Sequence, residues 1–333
     1  MILTRTPYRI SFFGGGSDYP AFYEEHGGAV LNATINKYCH IICRYLPPYF
    51  NHKHYIRYSK TEAPNSIDEI KHPSVRECLR FMKVAHGVEI THSGDIPAMS
   101  GVGSSSAFTV GLLHALNALQ GRLATRHDLA MDAIHVEQKM IGENVGSQDQ
   151  VAAAFGGLNL VEFSKQKTFV VTPLPISQET VAHLQDNLML FYTGISRFSS
   201  EIAAEQISKV SLNIRRLTDM RAMAYEAAGI LTKGKALHEF GEMMHQAWLE
   251  KRSLGTKVSN PEIDGIYEAA ISHGALGGKV CGAGGGGFMM FYVPKGKRKQ
   301  VRAALEGLLQ VPFAFEQLGS HIVSYTSDKL LLS

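Results

Sequence analysis

The segment Ile96-Pro-Ala-Met-Ser-Gly-Val-Gly-Ser-Ser-Ser-Ala107 decides the fold, because it places small residues directly before a helix pattern. That helix is predicted over Ser104 to Leu119 from its apolar spacing and is stopped by Gly121. Free N–H groups and the positive end of a helix bind anions, and serine hydroxyls can bond phosphate or coordinate Mg²⁺. The residues expected to bind phosphate are Gly101, Gly103, Ser104, Ser105 and Ser106.

Taken alone, the segment is explained more simply by a serine cap on a buried helix, since Ser is a common N-cap residue. It is not a Walker A loop, because no Gly-Lys-Ser/Thr follows it. The phosphate hypothesis therefore depends on what the rest of the chain places beside this loop.

A second glycine cluster, Gly282-Ala-Gly-Gly-Gly-Gly287, matches the GxGxxG pattern of dinucleotide-binding proteins. It leads into a strand pattern, Gly287 to Val293, where the dinucleotide fingerprint would open a helix, so that interpretation is excluded. Five glycines in six residues cost folding entropy. They predict close packing against a ligand or another loop.

Two acidic residues stand out in the middle of the chain. Glu137 lies on a helix predicted over Thr125 to Ile141, where its neighbours three and four residues away are apolar. A bare buried charge is costly, so this carboxylate needs a partner, unless it is a surface glutamate at the edge of the helix. Asp149 follows the turn at Gly146 and could be only a favourable charge at a helix N-terminus.

Strand and helix patterns alternate along the chain and predict an α+β protein. Further strands are predicted at Ala29 to Tyr45, Val88 to His92, Leu158 to Phe163, Thr168 to Thr172 and Leu188 to Tyr192, and further helices at Ser199 to Leu231, Lys235 to Leu254 and Lys297 to Leu309. Pro173 to Pro175 is the expected hinge. We therefore predict two domains, residues 1–180 and 181–333.

The composition favours a small ligand over a macromolecule. Basic residues number 33 and acidic residues 30, a net of +3 that argues for neither nucleic acid nor an anionic membrane. The four cysteines show no metal-ligand spacing and are too few for a secreted disulfide framework, which predicts reduced thiols in the cytoplasm. No stretch of 18 apolar residues occurs, so we expect neither export nor a membrane anchor.

Taken in order, four segments resemble the three-motif signature of the GHMP kinases over nearly the whole chain. They are Arg9 with GGGSD, GVGSSSA, Glu137 with Asp149-Gln150, and Lys279-Val-Cys-Gly-Ala-Gly-Gly-Gly-Gly287. The resemblance implies an N-terminal domain like ribosomal protein S5 and a ferredoxin-like C-terminal domain, with ATP and a sugar in the cleft between them. Met99 stands where the family usually has a further glycine, so the loop entry is expected to differ in shape.

The resemblance also implies roles for individual residues. The loop from Gly101 to Ser106 wraps the phosphates of ATP, and Ser105 and Glu137 hold Mg²⁺. Asp149 takes the proton of the attacking hydroxyl, with Arg9 beside it as the second catalytic residue. Phosphoryl transfer needs positioning and charge neutralisation, which this set supplies. The residues expected at the substrate are Asp18, Gly15, Gly16, Arg197, Lys251, Gly284 and Gly285.

The details GGGSDYPAFYEEHGG, NATINKY, YTGISR and HQAWLEKR resemble one branch of the family most. That branch phosphorylates the anomeric C1 hydroxyl of D-glycero-D-manno-heptose 7-phosphate for the synthesis of nucleotide-activated heptose. Arg197 and Lys251 are the candidates to grip the sugar phosphate, and for each a solvated or salt-bridged side chain is the alternative. The remaining alternatives are a kinase for fucose or another unphosphorylated sugar and a non-catalytic sugar sensor.

Overall fold

The computed structural model describes residues 1–195 and 199–326. The strands of this part, in chain order, are β1 (Ile2–Phe13), β2 (Gly28–Tyr45), β3 (Tyr55–Arg57), β4 (Thr61–Glu62), β5 (Val88–Gly94), β6 (Leu158–Phe163), β7 (Phe169–Pro173), β8 (Leu188–Tyr192), β9 (Gly277–Val280), β10 (Phe288–Tyr292), β11 (Leu309–Gln310), β12 (Phe315–Glu316) and β13 (His321–Tyr325). The α-helices are α1 (Pro20–His26), α2 (Pro73–Phe81), α3 (Ser104–Leu119), α4 (Arg126–His135), α5 (Gln148–Phe155), α6 (Gln178–Asn187), α7 (Ser199–Ser208), α8 (Ile214–Lys233), α9 (Leu237–Arg252), α10 (Pro261–Ser272) and α11 (Arg298–Ala304). These elements confirm the expected α+β class.

The larger sheet is built on two long antiparallel strands, β1 and β2. The second half of β2 pairs with β5 and its first half pairs with β6, and β6 continues into a hairpin with β7. Helices α3 and α5 pack on β1 and β2. Helix α3 is buried along most of its length because small and apolar residues occupy nearly every position after its first turn.

The smaller sheet has the strand order β11-β8-β10-β9 and is antiparallel throughout. Its core contains Trp248 from α9, Tyr267 from α10, and Phe291 from β10. Helix α9 also reaches the larger sheet, where the ring of Phe240 packs edge-on against Phe12 and Phe13 at centroid distances of 5.4 and 5.0 Å. One helix therefore contacts both sheets.

The chain returns to the larger sheet after completing the smaller one. Strand β12 pairs with β2, and β13 pairs with the outer side of β1. The predicted division into residues 1–180 and 181–333 therefore does not coincide with the two sheets. Strands in residues 315–325 belong to the larger sheet, although they come after the smaller sheet in the sequence. This return holds the end of the described chain beside its beginning.

Helix α3 begins and ends as predicted, and the predicted strands are also confirmed to within a few residues. The helix predicted over Thr125 to Ile141 is confirmed in position, but only Arg126–His135 is α-helical, and Val136–Ile141 widens into a π-helix. The helix predicted over Ser199 to Leu231 is two helices, and the one predicted over Lys297 to Leu309 ends at Ala304. Helices α2, α6 and α10 were not predicted.

Candidate active site

A cleft opens where the two sheets meet, and its walls come from segments far apart in the sequence. One side is the loop before α3 together with the start of the loop between β9 and β10. The other side is formed by the turn after β1, the turn before α5, and side chains of α7 and α9. The structure thus brings together the three motifs that the sequence separates.

The loop before α3 presents backbone N–H groups to this cleft. Gly101 and Gly103 have φ values of 82° and 75°, in the left-handed region that favours glycine. Gly103 caps α3, whose first helical hydrogen bond runs from the N–H of Ala107, so the N–H groups of the three serines before it have no acceptor within the helix. This is the anion-binding geometry expected of a phosphate loop.

The two glycine-rich loops touch each other, which explains several of their glycines. A Cβ on Gly101 would overlap the carbonyl oxygen of Cys281, and a Cβ on Gly282 would lie 2.7 Å from the Gly101 backbone. Met99, at the entry of the first loop, adopts φ 59°, a conformation that glycine takes without strain. Met99 therefore adds a side chain at the loop entry, while its backbone keeps a conformation typical of glycine.

Arg9 and Asp149 form a two-pronged ion pair in the floor of the cleft. The guanidinium donates from Nε to Oδ1 at 2.7 Å and from Nη2 to Oδ2 at 2.6 Å, and its Nη1 donates to the carbonyl of Gly101 at 2.7 Å. Arg9 is buried, whereas the Asp149 side chain keeps a quarter of its surface exposed to the cleft. The arginine therefore fixes the carboxylate and the phosphate loop relative to each other.

Glu137 lies in the first turn of the π-helix and is fully buried. The Ser106 hydroxyl donates to its Oε2 at 2.8 Å and the Gln150 amide donates to the same oxygen, while Oε1 has no partner among the described residues. Burial raises the pKa of this carboxyl to about 7. The serine that hydrogen-bonds Glu137 is thus Ser106, while Ser105, predicted to hold Mg²⁺ together with Glu137, is exposed and lines the cleft.

This arrangement fits a magnesium ion. Mg²⁺ in nucleotide sites is held by one or two carboxylates together with substrate phosphates. Glu137 offers an unpaired carboxylate oxygen, and its hydrogen-bonded serine lies in the phosphate loop itself. Ser106 and Glu137 are therefore the residues that would hold the ion.

Asp18 occupies the other side of the cleft and is also buried. Its Oδ1 accepts from the Gly16 N–H at 2.8 Å and its Oδ2 from the Gln148 N–H at 3.3 Å. Burial raises the pKa of the Asp18 carboxyl above its ordinary value. Gly15 and Gly16 line the cleft beside it, as expected.

Lys251, on α9, is buried and donates to the carbonyl of Gly282. Burial lowers the pKa of its ammonium group to about 8. Among the described residues lining the cleft it is the only cation besides Arg9, which is already paired with Asp149. Lys251 is thus a cation facing the cleft rather than a solvated surface lysine. Arg197 lies outside the described residues.

Gly284 and Gly285, predicted to contact the substrate, pack against Val258 and are not among the described residues that line the cleft. Gly284 lies so close to Val258 that a Cβ would come within 2.6 Å of its carbonyl oxygen, and the Gly285 N–H donates to that oxygen at 2.8 Å. The residues of this loop that line the cleft are Gly282 and Ala283. The later glycines are needed for packing between loops.

Sequence reasoning missed several residues of the cleft, among them Gln206 on α7. The amide of Gln206 accepts from the Tyr19 hydroxyl at 3.2 Å and donates to the Ala283 carbonyl at 2.9 Å, so it links the two sides of the cleft. Lys279, the first residue of the family segment that ends at Gly287, is buried and donates to the Phe12 carbonyl at 2.9 Å. No local pattern marks Gln206 as a cleft residue, because its partners Tyr19 and Ala283 are distant in sequence.

A second cavity of about 410 Å³ lies on the far side of the phosphate loop and shares Met99, Ser104 and Ser105 with the cleft. Its wall includes the rings of His72 and Phe108, stacked at a centroid distance of 4.7 Å, and the ring of His92. Burial lowers the pKa of His72 to about 4, so the ring is neutral. The cavity is therefore aromatic and uncharged.

Comparison with known proteins agrees with this geometry. The N-terminal domain of GHMP kinases matches residues 73–157 and the C-terminal domain matches residues 216–309. The D-glycero-alpha-D-manno-heptose 7-phosphate kinase of Campylobacter jejuni is 32% identical over 96% of this chain and 97% of its own length. The L-fucokinase/L-fucose-1-P guanylyltransferase of Bacteroides fragilis is 27% identical over 90% of this chain and 35% of its own length.

Among solved structures, a D-glycero-D-manno-heptose 1-phosphate kinase from Bacteroides thetaiotaomicron superposes with a TM-score of 0.80 at 25% identity, covering 98% of this chain and all of that one. The chain therefore belongs to the GHMP kinase family and has the GHMP kinase fold. It is an ATP-dependent sugar kinase. No helix in the described part of the chain is long and apolar enough to cross a membrane.

Proposed function

We propose that this kinase phosphorylates the anomeric C1 hydroxyl of D-glycero-D-manno-heptose 7-phosphate, giving the 1,7-bisphosphate for nucleotide-activated heptose synthesis. The observation that carries the proposal is Lys251, a buried cation that faces the cleft, donates to a backbone carbonyl and forms no ion pair with a carboxylate among the described residues. A charge in that position is costly unless an anion joins it. The heptose 7-phosphate kinase similar to this chain supports a sugar phosphate as that anion.

ATP occupies the opposite side in this proposal. Its phosphates bind the N–H groups of the loop from Gly101 to Ser106, and its base enters the aromatic cavity beyond the loop, where it stacks against neutral rings. Met99, Ser104 and Ser105 border both spaces, so one extended ligand can fill them together. Mg²⁺ neutralises charge on the phosphates when it is bound by Ser106 and Glu137.

The reaction follows from the position of Asp149. The Asp149 carboxylate accepts the proton of the sugar hydroxyl while the hydroxyl oxygen of the sugar forms a bond to the γ-phosphorus of ATP. The bond between that phosphorus and the bridging oxygen, which leaves with ADP, breaks. Arg9 holds both oxygens of Asp149, which orients the base before the substrate arrives. Asp18, at the sugar side, accepts hydrogen bonds from sugar hydroxyls.

Two further proposals concern the setting of this chemistry. Residues 1–180 and 181–333 form two domains with the cleft between them, the segment 315–325 being the return to the first sheet. The four cysteines are buried thiols rather than disulfides, and thiols suit the reducing cytoplasm where ATP and sugar phosphates are found.

The substrate assignment is tested by kcat/KM measured with heptose 7-phosphate, the free heptose and L-fucose under saturating Mg²⁺ and ATP. We expect the phosphorylated heptose to be used at least tenfold better than the free heptose, because a charge-assisted contact contributes about 1.5–3 kcal/mol. Equal use of both heptoses would overturn the 7-phosphate assignment. Preference for L-fucose would instead support the fucose alternative, which the Bacteroides fragilis relative also represents.

A further inference from the structure

Three buried polar side chains behind the turn after β1 have no assigned role. Within the described part of the chain, Ser11 Oγ, both polar atoms of Asn32 and Gln148 Oε1 are buried without a hydrogen-bond partner. Each of these residues is more than nine-tenths buried. Because nearly all buried polar groups in folded proteins are paired, such a concentration calls for a ligand.

The three side chains belong to one place. Ser11 and Asn32 are directly opposite each other in the β1–β2 register, so they lie on the same face of the sheet. Gln148 starts α5, which packs on these two strands, and its backbone N–H holds Asp18. Ser11 and Gln148 also line the cleft. Asn32 lies next to Ser11 on the neighbouring strand β2 and is not part of the lining.

Ser11 and Gln148 converge on a space that Gly15 leaves open. A Cβ on Gly15 would lie 3.4 Å from Gln148 Nε2 and 3.5 Å from Ser11 Oγ, which is ordinary contact distance. Unlike Gly14 and Gly16, Gly15 does not have a positive φ. The backbone therefore does not require glycine at this position, and its missing side chain leaves room for a ligand atom.

The chemistry of this space selects a neutral ligand group. A serine hydroxyl and a primary amide both donate and accept hydrogen bonds, as a sugar hydroxyl does, and neither carries charge. The buried carboxylate of Asp18 next to it disfavours a phosphate or carboxylate group. The phosphate of the substrate would then bind at Lys251, away from this space.

We propose that Ser11 and Gln148, backed by Asn32, form a neutral subsite that hydrogen-bonds one hydroxyl group of the sugar and so contributes to sugar specificity. The proposal rests on the sugar-binding side of the proposed function. A purely structural role would pair these groups within the protein, as happens for other hydroxyls on the same two strands. Thr4 donates to the Gly111 carbonyl at 3.0 Å, and Thr34 donates to the Glu316 carbonyl at 2.7 Å.

The test compares Ser11→Ala, Gln148→Leu and Gly15→Ala with the parent enzyme. We expect the KM for the sugar to rise roughly three- to tenfold in each variant, the range of one neutral hydrogen bond, with the KM for ATP unchanged. Without sugar, Ser11→Ala should melt at or above the parent temperature, since it removes an unpaired buried group. Thr4→Val is the matched control, which should melt lower and keep the sugar KM.

Deoxy sugars identify the hydroxyl that is bound. In a series lacking one hydroxyl at a time, we expect one analogue that the parent uses at least tenfold less well, and Ser11→Ala should discriminate against that analogue several-fold less strongly than the parent does. Unchanged sugar KM and unchanged discrimination in all three variants would overturn the subsite. A lower melting temperature with unchanged sugar KM would make these residues structural and overturn it as well.

The substrate is first established on the parent enzyme, which separates this proposal from the one above. If the parent prefers a sugar other than heptose 7-phosphate, the variants are measured with that sugar and its deoxy analogues. The 7-phosphate assignment would then fail, while the neutral subsite is still supported or overturned by the same readouts.

Discussion

The two sides of the cleft are built differently. In the proposed function, the phosphate side is a continuous loop, Gly101 to Ser106, which binds ATP through backbone N–H groups. The sugar side uses side chains, from Asp18 in the turn after β1 to Gln206 on α7 and Lys251 on α9. The phosphate side therefore depends on glycines that lack side chains, while the sugar side depends on the chemistry of its side chains. Substitutions on one side should accordingly affect nucleotide binding, and substitutions on the other should affect sugar binding.

Asp149→Asn should have the largest effect, because Asp149 is the base in the proposed reaction. The amide keeps the size of the side chain but cannot accept the proton, so we expect kcat to fall by roughly 10² or more. ATP binding, which uses the loop, should be nearly unchanged. Steady-state kinetics and a nucleotide titration check both statements, and an Asn variant that turns over at the parent rate would remove Asp149 from the mechanism.

Lys251→Met tests the sugar side alone. Loss of the cation should reduce kcat/KM for heptose 7-phosphate about tenfold to a hundredfold and leave the free heptose little changed. Because burial lowers the pKa of Lys251 to about 8, the parent should lose this preference as the pH rises through 8 and the ammonium group loses its proton.

Lys251→Arg is the control for charge, since a guanidinium does not titrate in this range and should hold the preference to higher pH. Arg197→Ala, measured beside it, shows whether a second cation shares the phosphate. If the preference for the phosphorylated sugar survives both Lys251→Met and Arg197→Ala, neither residue binds that phosphate.

Gly101→Ala tests the phosphate side alone. The added Cβ would overlap the Cys281 carbonyl and occupy a left-handed backbone conformation, so the loop must shift. We expect ATP to bind about tenfold more weakly or worse, since a shifted loop loses N–H contacts to the phosphates and a hydrogen bond to a charged group contributes about 1.5–3 kcal/mol. Gly121→Ala is the matched control, with φ 69° but open space around its Cβ, and it should lose stability without losing ATP affinity.

The same contrast explains what could be predicted from the sequence. The helix and its loop were predictable because apolar spacing and small residues are local signals. Which of the predicted loop serines faces Glu137 could not be predicted, since successive side chains on a helix differ by about 100° and only packing shows that it is Ser106. Gln206 carries no local signal, because the Ala283 carbonyl to which it donates lies 77 residues away. A glycine cluster in the sequence predicts that the backbone packs closely against something. It does not show whether that neighbour is a ligand or, as for Gly284, the residue Val258.

Glu137→Gln should have the smallest effect of these substitutions at neutral pH. It tests the buried carboxylate that lies beside the phosphate loop. Burial raises the pKa of Glu137 from 4.5 to about 7, so the folded protein holds this proton more tightly than the unfolded chain. The resulting stability is fully present below about pH 4.5 and is lost as the pH rises to about 7. Without metal, deprotonation of Glu137 should therefore lower the melting temperature of the parent as the pH rises from about 4.5 to about 7. The Gln variant should lack this decrease.

Magnesium should reverse that dependence, because it binds the deprotonated carboxylate in competition with the proton. Between pH 8 and pH 6 the Mg²⁺ concentration giving half-maximal thermal stabilisation by ATP should rise several-fold in the parent, since the pKa of Glu137 near 7 lies inside that interval. In Glu137→Gln the requirement should be higher at pH 8 and nearly independent of pH, with the sugar KM unchanged. A parent-like magnesium titration in this variant at both pH values would show that the buried carboxylate serves only to anchor Ser106 and Gln150, and the metal would have to be sought elsewhere on the phosphate side.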